Sequence, residues 1–265
     1  RPFEEVMASG KPDFPFMLCW ANQTWSGVWH GLQNRVLVEQ TYPGPKDHAA
    51  HFEALLPAFR DPRYLRVNNK PVFMIYNPSD LPAIKETTDL WRKMASEAGL
   101  GGLYLLAEND DPHWEAEFFG FDAFVNQRGF MRRREWTPWT KPLEKIRGKY
   151  LDMLGRPSIY EYENLLDYFV PDAASDLAIP CVVPNWDNTP RSGSRGVVLN
   201  NASPELFANQ VKSAIDRVIN RETDNRLIFI KSWNEWAEGN YLEPDQKFGY
   251  GNLEALKRTI EASIG

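Results

Sequence analysis

Cysteine is scarce in this chain of 265 residues: there are two, Cys19 and Cys181, each inside an apolar run. That rules out a disulfide framework as the basis of the fold, and both thiols are expected to be buried and free. Basic charge is also in short supply. Thirty Lys and Arg face thirty-six Asp and Glu, a formal net charge of −6. This is the wrong sign for a protein that binds nucleic acid by neutralising phosphates. No apolar run approaches the ~20 residues that span a bilayer. Histidine numbers four. The one metal-like spacing, His48 and His51, has no third ligand after it, and both residues fit the outer face of a surface helix. No metal or other cofactor is implied. No Gly-rich phosphate loop follows any strand, which argues against a dinucleotide-binding fold. The chain opens on Arg1, with an apolar run inside its first fifteen residues, and reads as a fragment or a processed form.

Aromatic residues, at 13%, stand out among what is present. Six apolar runs read as strands: 14–20, 71–76, 102–107, 122–125, 179–183 and 227–230. Between them lie helical stripes with a 3.6-residue period. One holds Ala49, Phe52, Leu55, Leu56 and Phe59; another Ile84, Trp91, Met94, Ala95 and Ala98; a third Phe207, Val211, Ala214, Ile215 and Val218. Ser203 before Pro204 marks the start of the third. A last helix over 252–263 should turn Leu253, Leu256 and Ile260 inward. Residues 128–170 form a polar, Trp-containing insertion, read as a long loop with one or two helices. Near-continuous apolar strands alternating with amphipathic helices predict a parallel α/β sheet.

Polar or aromatic residues follow nearly every strand, at Trp20/Asn22, Asn77, Glu108/Asn109, Asn126, Asn185/Asp187 and Asn234/Glu235. In an open doubly wound sheet only the switch-point loops would carry them. A (β/α)8 barrel of the TIM type brings all strand ends to one mouth, and the even spread favours that architecture. Six units are counted, two short of eight.

The densest run is Trp233-Asn234-Glu235-Trp236-Ala237-Glu238-Gly239-Asn240-Tyr241-Leu242-Glu243. On a helical turn, Glu235 and Glu238 share one face, about 5–6 Å apart at Cβ. Two carboxylates at that spacing suit glycoside cleavage, one protonating the leaving oxygen while the other acts on the opposite side of the sugar. Crowding would hold one of them protonated near neutral pH. Trp233 and Trp236 offer apolar faces to sugar C–H surfaces.

Several runs together resemble a known family: Phe16-Met17-Leu18-Cys19-Trp20-Ala21-Asn22, Tyr42-Pro43-Gly44, Lys70-Pro71-Val72-Phe73, Pro184-Asn185-Trp186-Asp187-Asn188-Thr189 and Trp233-Asn234-Glu235-Trp236-Ala237-Glu238-Gly239. They look like the WbsX-like group, bacterial proteins with a glycoside hydrolase family 99-like domain, and the resemblance runs over essentially the whole chain. It implies a single (β/α)8-barrel catalytic domain over residues 1–265, incomplete at its N-terminus, its first two βα units preceding Arg1. It further implies retaining endo-α-mannosidase-like chemistry. Glu235 would deprotonate the neighbouring sugar 2-OH to give an anhydro-sugar intermediate, and Glu238 would act as acid/base. Members are usually named for lipopolysaccharide or O-antigen biosynthesis, so glycosyl transfer competes with hydrolysis and the bacterial cytoplasm is favoured over the periplasm. Where many members have Asp after a loop tryptophan, this chain has Trp29-His30-Gly31.

The partner expected is an oligosaccharide or polysaccharide. Its candidate contacts are Trp20, Asn22, Glu108, Asn126, Trp186, Asp187, Trp233, Asn234 and Trp236. For Trp20 core packing is an equal alternative, and for Asp187 an Asx-turn. Arg128, Arg132, Arg133 and Arg134, among Trp136 and Trp139, read as a solvated face or as a site for an anionic glycan. The Asn22-Gln23-Thr24 sequon is too short to weigh. A barrel that holds a glycan without turnover remains a further alternative, as does a scaffold piece in polysaccharide assembly.

Overall fold

The computed structural model describes residues 2–27, 35–127, 140–170 and 175–264. All six predicted strands are present: β1 (Leu18–Trp20), β2 (Lys70–Ile75), β3 (Tyr104–Glu108), β4 (Ala123–Asn126), β5 (Ala178–Val182) and β6 (Phe229–Ile230). The chain divides into two compact units. The first is Arg1–Asn109 with Trp114–Phe124, and the second is Asp110–His113 with Val125–Gly265. Strand β4 is common to both. In the first unit the sheet order is β1-β2-β3-β4, and in the second it is β4-β5-β6. The fold is parallel α/β.

Registers follow the apolar runs. Leu18 pairs with Phe73 and Trp20 with Ile75, Val72 with Tyr104 and Ile75 with Ala107. In the second unit Phe229 pairs with Cys181 and Ile230 with Val182. Every residue of β2 after Lys70 is buried, as expected for a parallel strand covered on both faces. A short antiparallel strand, Arg66–Val67, folds back on Lys70–Pro71. Asn68 and Asn69 between them both have positive φ, at 49° and 61°. Asparagine tolerates that geometry, which the tightest hairpin turns require at both central residues.

The first unit's core is a mesh of rings. Phe52 and Phe59, from helix Pro45–Phe59, pack on each other, Phe59 meets Tyr64 and Phe73, and Phe73 meets Trp91, all edge-on or tilted at centroid distances of 5.3–5.8 Å. His48 and His51 belong to this mesh, which corrects their expected outer-face position. His48 is buried and its carbonyl accepts from Trp91 Nε1 at 2.7 Å. The His51 ring stands edge-on to Trp20, Phe73 and Trp91. The four-residue spacing to Phe52 and Leu55 places these rings on the inward stripe, and imidazole packs there as a small aromatic. Burial pulls both histidine pKa values below the ordinary one. Cys19 departs from expectation as well. It is exposed, because alternation along β1 turns Trp20 toward the rings and Cys19 to the opposite side. Cys181 is buried, as expected, and takes part in no disulfide.

In the second unit, Ser203 Oγ accepts from Leu206 N at 3.3 Å and caps helix Pro204–Val218, whose Phe207, Val211, Ala214, Ile215 and Val218 are all buried. Helix Gly251–Ile264 packs Leu253 and Leu256, each half-buried, against the core of Phe207, Val211 and Leu242, whereas Ile260 is 39% exposed. The expected inward stripe thus holds over the first turns of that helix but not at its far end. The insertion contains helix Thr140–Met153 and also a strand that periodicity did not announce. That strand, Ser158–Glu161, runs parallel to Val197–Asn200. Glu161 fastens the pair by accepting from Asn200 and Asn201 side chains at 2.9 and 2.7 Å. Among the described residues no helix is long and apolar enough to cross a membrane.

Candidate active site

The carboxylate pair sits in the second unit, just beyond β6. Asn234–Glu235 pairs antiparallel with Asn240–Tyr241, and the connection is a 3₁₀ turn, Trp236–Glu238, rather than an α-helical one. Gly239 closes it at φ 53°. A side chain there would meet the Asp187 backbone, its oxygen 2.7 Å and its nitrogen 2.8 Å from the added carbon. Only glycine supplies both the left-handed backbone and the clearance.

That close approach joins the turn to the loop after β5. Asp187 N donates to Glu238 O at 2.9 Å, and Tyr241 N donates to Asn185 Oδ1 at 2.9 Å. A third link is ionic. Arg191 Nη1 lies 2.9 Å from Glu238 Oε1 and 3.8 Å from Glu235 Oε1. One guanidinium nitrogen therefore serves both carboxylates, and their oxygens can be no farther apart than those two distances added. A positive charge thus stands against both carboxylates, which the expected crowding of the pair did not include. Side-chain exposures of 41% for Glu235 and 19% for Glu238 leave the site open to solvent.

The tryptophans of the turn are exposed, Trp233 by 53% and Trp236 by 48%. Trp236 is fixed nonetheless. Its ring stacks on Tyr241 at 3.8 Å and 14°, and its Nε1 donates to Glu243 Oε2 at 2.7 Å. Burial and the nearby Asp245 carboxylate raise the Tyr241 pKa. Asn234 is exposed beside them.

The remaining candidates in this unit are placed differently. Trp186 is 4% exposed, in a cluster with Tyr162, Phe169 and Val197, and the Lys231 ammonium stands 5.3 Å from its ring. Asp187 Oδ1 accepts from both the Thr189 amide and the Thr189 hydroxyl, at 2.9 and 2.6 Å, the Asx-turn alternative. Asn126, ending β4, is buried.

Trp20, Asn22 and Glu108 lie in the first unit. The Trp20 ring packs between His51, Trp91 and Tyr42. Asn22 is fully buried. Its amide donates to Tyr42 Oη at 3.1 Å and to Asn77 O at 2.6 Å, and its Oδ1 accepts from Asn77 N at 2.7 Å. With that nitrogen engaged and enclosed, the sequon at Asn22 is closed to modification in the folded chain. Glu108 is buried at the end of β3. His30, Arg128, Arg132, Arg133, Arg134, Trp136 and Trp139 lie outside the described residues. Among the described residues no group of three or more His, Cys, Asp or Glu could hold a metal.

Arg191 escaped the sequence reading, and Tyr241 and Glu243, although inside the run singled out there, were given no role in it. Tyr241 and Glu243 are five and seven residues beyond Trp236, and a tight turn was the signal that would have folded them back. Arg191 carried a fainter one, a basic residue following the Asn185-Trp186-Asp187-Asn188 loop.

A parallel α/β sheet with carboxylates and aromatic residues beyond a strand end defines the class, and a solved structure shares the fold. The chain aligns with the GH99 endo-alpha-mannosidase from Bacteroides thetaiotaomicron in complex with BIS-TRIS-propane, over 93% of this chain and 78% of that one, at 16% identity and a TM-score of 0.50. Residues 1–256 match the family model for glycosyltransferase WbsX, and the chain belongs to that family. Two relatives named uncharacterized protein WxcX, from two strains of Xanthomonas campestris pv. campestris, are 30% and 31% identical over 98% of this chain. The chain spans 36% of the length of those relatives.

Proposed function

We propose that residues 1–265 form a catalytic domain that cleaves glycosidic bonds in an oligosaccharide or polysaccharide by a retaining, endo-α-mannosidase-like mechanism on Glu235 and Glu238. The observation that carries this reading is the shared contact of both carboxylates with Arg191 beside two exposed tryptophans. Glu235 takes the proton of the sugar 2-OH as that oxygen attacks the anomeric carbon. Glu238 gives its proton to the departing glycosidic oxygen. A 1,2-anhydro sugar results; water then opens it, losing a proton to Glu238 while Glu235 returns one to the 2-oxygen. Trp233 and the Tyr241-backed face of Trp236 present apolar surfaces for sugar rings.

Glycosyl transfer is the second reading, favoured by the family's description as glycosyltransferases. It differs only in the last step, where an acceptor hydroxyl replaces water.

Glu235→Gln and Glu238→Gln, measured on α-mannosides and on O-antigen oligosaccharides, test the assignment. Each should lower turnover by about 10²–10⁴-fold, the usual worth of general acid–base catalysis. An aryl leaving group needs less protonation, so it should partly rescue Glu238→Gln and leave Glu235→Gln inactive. Near-normal turnover in both variants would remove these residues from the mechanism. Glycan binding with no turnover in the unmodified chain would point to a binding barrel instead.

A further inference from the structure

The unexplained feature of the site is the cation inside it. Arg191 is carried by the four-residue helix Thr189–Ser192. The start of that helix is fixed by Asp187, whose Oδ1 accepts from Thr189 N and Oγ1, while Asn188 O accepts from Arg191 N and Ser192 N. The same Asp187 donates its backbone N–H to Glu238 O and leaves no room for a side chain at Gly239. One loop therefore grips the carboxylate turn through its backbone and delivers a guanidinium to both acids. The two contacts are unequal, 2.9 Å to Glu238 and 3.8 Å to Glu235.

We infer that Arg191 is the positioning residue and resident counter-ion of the Glu235–Glu238 pair, with Asp187 holding Arg191 in place rather than binding glycan. This deepens the proposed function by stating how the pair is held. Two carboxylates joined to one nitrogen keep a fixed spacing, and the tighter contact anchors Glu238 while the looser one leaves Glu235 able to turn to the sugar 2-OH or to another cation. A cationic polyol must compete with Arg191 for the same acids.

The experiment reads cation binding and not turnover, so its failure is distinguishable from failure of the enzymatic reading. BIS-TRIS-propane, a polyhydroxylated diamine that is cationic at neutral pH, is titrated calorimetrically into the whole chain and into Arg191→Lys, Arg191→Gln and Arg191→Met. Gln and Met remove the charge; Lys keeps it. Removing a competing, partly exposed ion pair should tighten binding by about fivefold in the Gln and Met variants. Lys should match the unmodified chain. The gain should vanish when Glu238→Gln is added to Arg191→Met. If Met disturbs folding, judged by near-ultraviolet circular dichroism, Gln and Lys decide the matter. Equal or weaker binding in the charge-removing variants overturns the inference, and so does an equal gain in Lys.

Discussion

The two units answer the same local sequence in opposite ways. β1 ends in Trp20, followed by Ala21-Asn22, and Trp233-Asn234 follows β6; each is an indole and an amide at the end of a strand. In the first unit the indole is wedged among His51, Trp91 and Tyr42, and the amide is fully buried with both ends engaged. In the second, Trp233 is 53% exposed and Asn234 is exposed beside it. The first pair is framework and the second is surface. A polar-aromatic decoration of strand ends is thus a marker of place, and whether it touches ligand depends on what covers it.

The comparison can be broken by truncation. Trp20→Ala should cost about 3 kcal/mol, toward the lower end for large aromatic deletions because the ring is only half-buried. Trp233→Ala should stay within about 0.5 kcal/mol. Denaturant titration of the two variants checks the contrast, and equal costs would abolish it.

The amides give the next test. Asn22→Ala removes the acceptor of the Asn77 amide N–H, while Tyr42 Oη keeps its bond to the Asn22 carbonyl and Asn77 O its bond from Asp80 N; the cost should be about 1–3 kcal/mol, whereas Asn234→Ala should be near neutral. Thermal melts of both suffice, and a silent Asn22→Ala would mean that water replaces the amide.

Within the second unit, Gly239→Ala forces a left-handed alanine against the Asp187 backbone and should cost at least about 1 kcal/mol. It should also disturb the near-ultraviolet circular dichroism band of the stacked Trp236. An unchanged band would show that the turn does not depend on that close approach.

The smallest effect is one of pH. His48 and His51 have pKa values lowered by burial, so the unfolded chain protonates first as pH falls. Their contribution is complete above the unfolded histidine pKa, about 6.5, and is lost as pH drops from there through the folded values. The second unit has no buried histidine among its described residues. Melting temperature should therefore fall between pH 7 and pH 5, and a His48→Leu/His51→Phe variant should show a shallower fall. An identical slope in that variant would assign the effect to carboxylates.

Sequence alone determined what depends on neighbours a few residues away. The six strands, the Ser203 cap and the buried stripe Phe207–Val218 follow from periodicity and local hydrogen bonding, and the structure contains them. Glu235 and Glu238 were legible as a pair because three residues separate them. Tertiary structure decided the rest. Asn22 is framework because Tyr42 and Asn77, 20 and 55 residues away, close around it. His48 and His51 are core because Trp91 comes to meet them. The carboxylates acquire a shared cation from a residue 47 positions before Glu238. Periodicity records only contacts between near neighbours in the chain, whereas burial and charge at a strand end are set by whichever distant segment the fold brings there.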